Sequence, residues 1–280
     1  MKGAKGQDIL GNIAILKFDW NESQKSKKKY AERFLKEHKA VRTVLEKTGK
    51  FSGRLRTLKT NWLAGEKNLE ALYKESGCEF RFNVETCYFS SRLASERLEI
   101  AKLVRKGENV LVLFGGVAPY AVVIAKLSKA GRVVSVELGR ECSKYALQNV
   151  KRNKVEKIVS IIQGDVRKVL AEQGSAGTST LARLKFLPKM KRNYKFDRIV
   201  MARPNLSDNF LDVAFPLIKK NGIIHYYGFY PEKELDKMKE MILKEAKSAK
   251  RKIKIIRIKK AGDIGAYKFR YRVDMKVLNQ

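Results

Sequence analysis

The stretch from Asn109 to Ala130 restricts the fold of this chain more than any other. Asn109-Val110-Leu111-Val112-Leu113-Phe114 is a short apolar run ended by Gly115-Gly116, and Tyr120 to Ala130 follows with apolar residues at helical spacing. Strand, glycine turn and helix in that order form a βα unit, and a strand apolar on both sides belongs to a sheet covered on both faces. The rhythm continues. Strands are predicted at Arg132 to Glu137, Val159 to Gln163, Phe196 to Met201 and Ile223 to Tyr227, with helices at Cys142 to Asn153 and Phe210 to Lys219. Such alternation implies an α/β fold around a parallel sheet.

Glu232 to Ala249 has the spacing of a charged amphipathic helix, and strands at Ile253 to Ile258 and Tyr267 to Val277 close the chain. In the last strand Phe269, Tyr271, Val273, Met275 and Val277 alternate with Lys268, Arg270, Arg272, Asp274 and Lys276. That period of two predicts one buried face and one cationic face turned outward. Lys268, Arg270 and Arg272 then either touch RNA or solvate an edge strand.

The first hundred residues lack this rhythm. Ile9 to Phe18 reads as a strand, Gln24 to Lys39 as an exposed helix with a thin stripe of Tyr30, Phe34 and Leu35, Thr48 to Gly53 as a loop, and Glu79 to Val84 as a strand. Lys25, Lys27, Lys28 and Lys29 read as a solvated face. The expected division is a small α+β domain over 1–84 and a larger α/β domain over 85–280. Between Glu172 and Tyr194 a Gly, Ser and Thr stretch turns basic, which suits either a substrate-contacting insertion or a surface loop.

Composition narrows the function. The chain has 61 Lys and Arg against 29 Asp and Glu, a net charge of +32. An ordinary apolar share of 44% means that it folds nonetheless. A folded chain with this excess is expected to meet a polyanion, with RNA, DNA and an anionic membrane surface as the candidate classes. No run reaches the ~20 apolar residues of a membrane span and no signal peptide precedes the fold, so a cytoplasmic location is expected. Cys78, Cys87 and Cys142 are scattered without a CxxC pair, which argues against disulfides, structural zinc and thiol catalysis.

In open α/β sheets ligands bind beyond the carboxyl ends of the strands. The turn there is Phe114-Gly115-Gly116-Val117-Ala118-Pro119-Tyr120, where small residues admit a ligand close to the backbone. Ala118 stands where a dinucleotide fingerprint needs glycine, which disfavours NAD. Glu137 ends the second strand and can accept hydrogen bonds from a ribose diol; Asp165 ends the third and can accept one from an adenine amino group. Ribose and adenine recognition without phosphate recognition fits S-adenosylmethionine.

Several stretches together resemble the tRNA methyltransferases that act on the purine 3′ of the anticodon, position 37, including the guanine-N1 and wyosine-pathway enzymes of archaea. They are Arg56 ahead of Leu63-Ala64-Gly65-Glu66, Tyr88-Phe89-Ser90-Ser91-Arg92-Leu93-Ala94-Ser95-Glu96-Arg97, the Phe114 to Tyr120 turn, Asn149 to Val155, and Ile224-His225-Tyr226-Tyr227. The resemblance implies a class I, Rossmann-like S-adenosylmethionine methyltransferase sheet behind a small RNA-facing domain. It implies Glu96 as the general base that takes the guanine N1 proton, and Arg56 as the cation that absorbs charge on O6. It also implies that Arg92, Arg97, Phe114, Gly116, Glu137, Leu138, Asp165, Val166 and Ala202 surround the cofactor. The implied partner is the anticodon-loop region of tRNA, met by a monomer without a protein partner or a metal. The chemistry agrees, since guanine N1 holds its proton at neutral pH and methylation there needs a base and a cation.

Two positions depart from the family pattern. Val112 stands where an aspartate is usual, and Ala202 stands where an asparagine precedes x-Pro. Such departures resemble a subgroup that also methylates C7 of the tricyclic wyosine precursor, so that activity is the alternative, alone or in addition. A non-catalytic tRNA-binding protein on a methyltransferase fold is the alternative of another class. Larger relatives carry an extra N-terminal tRNA-recognition domain, which a chain of 280 residues is expected to lack.

Overall fold

The computed structural model describes residues 3–171, 194–202, 207–265 and 267–279. The basic insertion expected after Glu172 and the Arg203-Pro204-Asn205 segment lie outside the described residues.

The N-terminal sheet has four strands in spatial order β1 (Gly6–Leu10), β2 (Ile13–Lys17), β3 (Thr43–Lys47) and β4 (Thr60–Gly65). The single strand expected at 9–18 is thus a hairpin, turning at Gly11 with φ +62°. A Cβ there would stand 1.9 Å from the Leu72 carbonyl oxygen, so the turn requires glycine. Helix α1 (Gln24–Glu37) crosses from β2 to the parallel β3, its first turn capped by Ser23, and buries Ala31 and Phe34 against Leu16, Val44 and Leu63. Lys27 departs from the expected solvated face. It is 5% exposed and pairs with Glu46 at 2.6 Å, because β3 places a carboxylate under that side of the helix.

A two-stranded ribbon, β5 (Glu70–Glu75) and β6 (Cys78–Asn83), leads into α2 (Ala94–Leu103). The ribbon belongs to the apolar cluster that runs on through α3 (Pro119–Leu127) and α4 (Arg140–Arg152). Asn149 on α4 and Asn153, the residue that caps its C-terminus, exchange hydrogen bonds with the backbone of Arg81 and Glu79 on β6, and Asn149 also donates to the Val117 carbonyl at 3.0 Å. The two amides satisfy an otherwise open strand edge, which explains the asparagines of the Asn149 to Val155 motif.

The large sheet has β7 (Asn109–Leu113), β8 (Arg132–Glu137), β9 (Val159–Gln163), β10 (Phe196–Met201), β11 (Ile218–Pro231), β12 (Ile253–Gly265) and β13 (Lys268–Val277). Its spatial order is β12-β13-β11-β10-β7-β8-β9. Strands β11, β10, β7, β8 and β9 are parallel as the alternation predicts, and β13 and β12 add an antiparallel hairpin. Helices α2, α3 and α4 cover one face; α5 (Val166–Ala171), α6 (Leu211–Leu217) and α7 (Leu235–Ser248) cover the other. The chain leaves β7 toward β8 and later returns on its other side as β10, so the strand order reverses at β7. Among the described residues no helix is long and apolar enough to cross a membrane.

The outward cationic face expected on the last strand is overturned at Arg272 and Asp274, while Lys268 stays exposed. Strand β13 lies inside the sheet, between β11 and β12, with Tyr271, Val273 and Met275 against the α6 and α7 layer. Its opposite face lies under α2, where Arg272 is 0% exposed and Asp274 is buried. Arg272 donates to Glu96 at 2.8 Å and Glu99 at 2.6 Å, two carboxylates three residues apart on one side of α2. A period of two reads which residues share a face; it cannot tell solvent from a helix that brings its own counter-charges.

Candidate active site

The reversal at β7 opens a cavity at the carboxyl ends of five strands. It is lined by Phe114, Gly115 and Gly116 after β7, Glu137 and Leu138 at the end of β8, Asp165 and Val166 after β9, Ala202 after β10, and Tyr227 and Phe229 on β11. Arg54, Leu55 and Arg56 reach it from the loop between β3 and β4.

Glycine is needed at the first turn for a specific reason. A Cβ on Gly115 would stand 2.0 Å from Ser135 Oγ on the neighbouring strand. Around it Phe114, Gly116 and Ala118 all adopt positive φ, of 60°, 55° and 66°. Two non-glycine residues held in this region are costly and concentrate at binding sites. The turn aims the Gly116 N–H at Glu137 Oε2, 2.7 Å away, while the Gly139 N–H meets Oε1 at 2.7 Å. Burial raises the Glu137 carboxyl above its ordinary range, and the backbone N–H groups oppose that shift. With two lone pairs on each oxygen, the Glu137 carboxylate keeps accepting capacity beyond the N–H groups of Gly116, Gly139 and Leu138, as a ribose diol needs.

Asp165 accepts from Arg54 at 2.8 Å and from the Arg167 backbone N–H at 2.9 Å. Burial would raise its carboxyl, but the Arg54 hydrogen bond and the Arg167 N–H outweigh it and hold it below the usual range. Between these two acids Leu138 and Val166 supply apolar walls for a planar base. Acid acceptors at two strand ends and apolar surface between them fit the ribose and adenine of S-adenosylmethionine.

Seven of the nine residues expected around the cofactor therefore line one cavity by way of strand ends or the glycine turn. Arg97 also lines it, although its guanidinium is occupied: it grips both oxygens of Glu75 on β5, donates to the Ser90 carbonyl at 3.0 Å, and is 1% exposed. Arg92 does not line it. Its side chain is exposed, pairs with Asp8 at 3.0 Å and belongs to a second groove. Arg92 sits in the short 3-10 turn Ser91–Leu93 and Arg97 inside α2, so two arginines in one motif face different ways.

That second groove adjoins the cavity and shares Arg56, Tyr88, Phe89, Ser90, Phe229 and Arg270 with it. Lys17, Lys47, Arg92 and Lys268 line it further out. Arg56 stands at the junction, its guanidinium 4.3 Å over the Tyr88 ring and 5.4 Å over Phe51. Its buried Nε–H has no hydrogen-bond partner.

Glu96 lies one layer back. It is 4% exposed and is not among the residues lining the cavity. Its Oε1 accepts from Lys259 at 2.6 Å; its Oε2 accepts from Arg272 at 2.8 Å and from the Tyr227 hydroxyl at 3.2 Å. Sequence reasoning missed Tyr227, Tyr120 and Lys259. The Phe114 to Tyr120 turn and the Ile224 to Tyr227 motif contained the two tyrosines without assigning them a role, because the register that sets Tyr227 opposite Arg272 and Lys259 opposite Arg272 is a property of the folded sheet. Two thiols are held protonated: burial pushes Cys78 up to about 11, and the hydrogen bond with Cys87, together with burial, pushes Cys142, which lines the cavity, higher still.

Fold and site together define a class I methyltransferase that uses S-adenosylmethionine. The chain belongs to the family described as the TRM5/TYW2 methyltransferase domain, whose model matches residues 71–178 and 183–256. It is 34% identical over 305 residues to the tRNA (guanine(37)-N(1))/4-demethylwyosine(37)-methyltransferase Taw22 of Nanoarchaeum equitans, covering 97% of this chain and 99% of that one. It is also 34% identical over 225 residues to the tRNA (guanine(37)-N(1))-methyltransferase Trm5b of Pyrococcus abyssi, covering 80% of this chain and 60% of that relative. The crystal structure of Trm5b from Pyrococcus abyssi superposes with a TM-score of 0.82 at 30% identity, over 98% of this chain and 76% of that one.

Proposed function

We propose that this enzyme methylates N1 of guanine at position 37 of tRNA, entering by the anticodon loop. The observation that carries the reading is the continuity of the strand-end cavity with the basic groove, through Arg56, Tyr88 and Arg270. A nucleotide backbone suits the groove, where Lys17, Lys47, Arg92 and Lys268 meet phosphate, and a base turned out of its loop suits the aromatic junction. Bound S-adenosylmethionine supplies an electrophilic methyl carbon. Glu137 and Asp165 hold its ribose and adenine, and Leu138 and Val166 flank the base.

Arg56 is the cation for O6. Cation–π contacts with Tyr88 and Phe51 hold its guanidinium at the junction, and its unpartnered Nε–H leaves a donor for charge that develops when N1 loses its proton. Glu96 is the final acceptor of that proton. A G37 transcript incubated with enzyme and labelled cofactor should yield 1-methylguanosine on nucleoside mass spectrometry; equal labelling of an A37 transcript would refute the base assignment. Glu96→Gln should keep cofactor binding by calorimetry and lose about 100-fold or more in kcat.

A second reading is C7 methylation of 4-demethylwyosine at the same position. Two observations favour it: the match to Taw22 runs the length of both chains, and Ala202 lines the cavity where a larger amide would take space. tRNA-Phe carrying the tricyclic base, offered beside the G37 transcript, distinguishes one activity from both. If the protein bound tRNA in a salt-sensitive way yet bound no S-adenosylmethionine, it would instead be a non-catalytic binder.

A further inference from the structure

We propose that Tyr227 relays the proton from the target base to Glu96, so that tyrosine and glutamate act as one catalytic unit. The inference rests on the reading of Glu96 as the proton acceptor and supplies what that reading lacks, a route. Glu96 is 4% exposed and sits behind the cavity wall; Tyr227 is part of that wall and donates its hydroxyl proton to Glu96 Oε2 at 3.2 Å. The direction of the hydroxyl is set by Tyr120, which lines the same cavity. Tyr120 donates to Tyr227 Oη at 3.0 Å, so the Tyr227 proton points to the carboxylate. Burial, with the neighbouring Tyr120 and Glu96, keeps Tyr227 protonated well beyond the ordinary range of a phenol, so it always has a proton to pass on.

The transfer balances as follows. The N1–H bond of guanine breaks and its proton joins Tyr227 Oη, while the Tyr227 O–H bond breaks and that proton joins Glu96 Oε2. Tyr227 ends as it began, Glu96 is neutral, and the electron pair left on N1 forms the bond to the methyl carbon. The surroundings tolerate a neutral Glu96. Lys259 and Arg272 each also hold Glu99, which keeps both cations paired when Glu96 has lost its charge. A carboxylate with those two cations as its sole counter-ions would leave both unpaired in a buried place.

The test uses the full chain with S-adenosylmethionine and a G37 transcript. Tyr227→Phe should lower single-turnover kcat at least tenfold, with unchanged cofactor affinity and unchanged KM for tRNA. The loss should shrink as pH rises far enough to ionise guanine N1, because a base already deprotonated needs no relay. A packing role would give a deficit that pH does not repair, and that outcome would overturn the proposal, as would wild-type kcat in Tyr227→Phe. Glu96→Gln separates the two readings: wild-type kcat there refutes Glu96 as acceptor, whereas a slow Glu96→Gln beside a fast Tyr227→Phe refutes the relay alone. Should Tyr227→Phe not fold, a proton inventory of the wild type in mixtures of light and heavy water decides. A curved inventory, with two protons in flight, supports the relay; a straight one overturns it.

Discussion

Arg54 and Asp165 stand 111 residues apart in the chain and 2.8 Å apart in space. Their contact ties the loop between β3 and β4 to the carboxyl end of β9, across the cavity. Arg54 is 64% exposed at its side chain, so the pair contributes at most about 1 kcal/mol and yields readily to a ligand. If the same carboxylate accepts from adenine, as proposed, Arg54→Ala should leave S-adenosylmethionine affinity within about threefold of wild type or tighten it. Asp165→Ala should weaken it about tenfold by calorimetry. If Arg54→Ala weakened binding as much as Asp165→Ala, the arginine would be a ligand contact rather than a competitor.

Gly115→Ala should abolish cofactor binding through one clash, that of its Cβ with Ser135 Oγ at 2.0 Å. The next atoms are at 3.4 Å and 3.6 Å, so Ser135→Ala removes the obstacle. The double variant should recover much of the affinity lost in Gly115→Ala, a non-additivity expected of residues in contact. Calorimetric titration of the three variants checks it, and additive losses would count against this account of the turn.

Arg272 joins Glu96 and Glu99 on α2 to Asp274 on its own strand. Arg272→Met removes one charge and leaves three carboxylates short of their partner, which should cost about 3–5 kcal/mol in a urea titration. Arg272→Lys should recover part of that loss, since an ammonium keeps the charge without the planar fork. A cost below about 1 kcal/mol for Arg272→Met would mean that Lys259 alone suffices.

Acid should destabilise the fold in two stages. Arg198 can only donate, so His225 Nε2, 2.7 Å away, is the acceptor, and Nδ1 carries the proton that meets Asp274 at 2.6 Å. Burial, helped by the charges of Arg198 and Arg272, pushes His225 below 6.5 against the pull of Asp274. The unfolded chain then binds a proton that the folded chain refuses, so stability present above about pH 6.5 declines as pH falls toward the lower folded value. Burial would raise Glu99, but Lys259 and Arg272 bring it down to about 2, so its contribution is complete above 4.5 and is lost between 4.5 and about 2. Urea midpoints should fall from about pH 6.5 downward and continue to fall below about pH 4.5. His225→Gln should flatten the upper stage and leave the lower one; a wild-type profile level to about pH 5 would refute the histidine's part.

The legible parts of this protein are those whose signal is local. Apolar runs ended by glycine or an acid mark β7, β8 and β9, because a strand buried on both faces has no polar alternation to blur it. The same residues mark the strand-end cavity, since a sheet of this topology exposes its strand ends at one rim. Strands β3, β4 and β5 and helix α2 went unread. Trp62 and Leu72 face outward on their strands, and α2 alternates charged and apolar residues around all sides, so neither carries a clean period.

The amino-acid order by itself determined the βα rhythm, the glycine turn, the acids at the strand ends and the excess of positive charge, because each depends on neighbours a few residues apart. Tertiary structure alone decided the fate of charges that the sequence shows as equals. Lys268 lines an open groove, while Arg272, four residues on, is sealed under α2 between carboxylates 173 and 176 residues distant. Burying a cation requires that its counter-charges arrive from elsewhere in the chain, and which ones arrive is settled by strand order and register. The same register put Tyr227 between the cavity and Glu96.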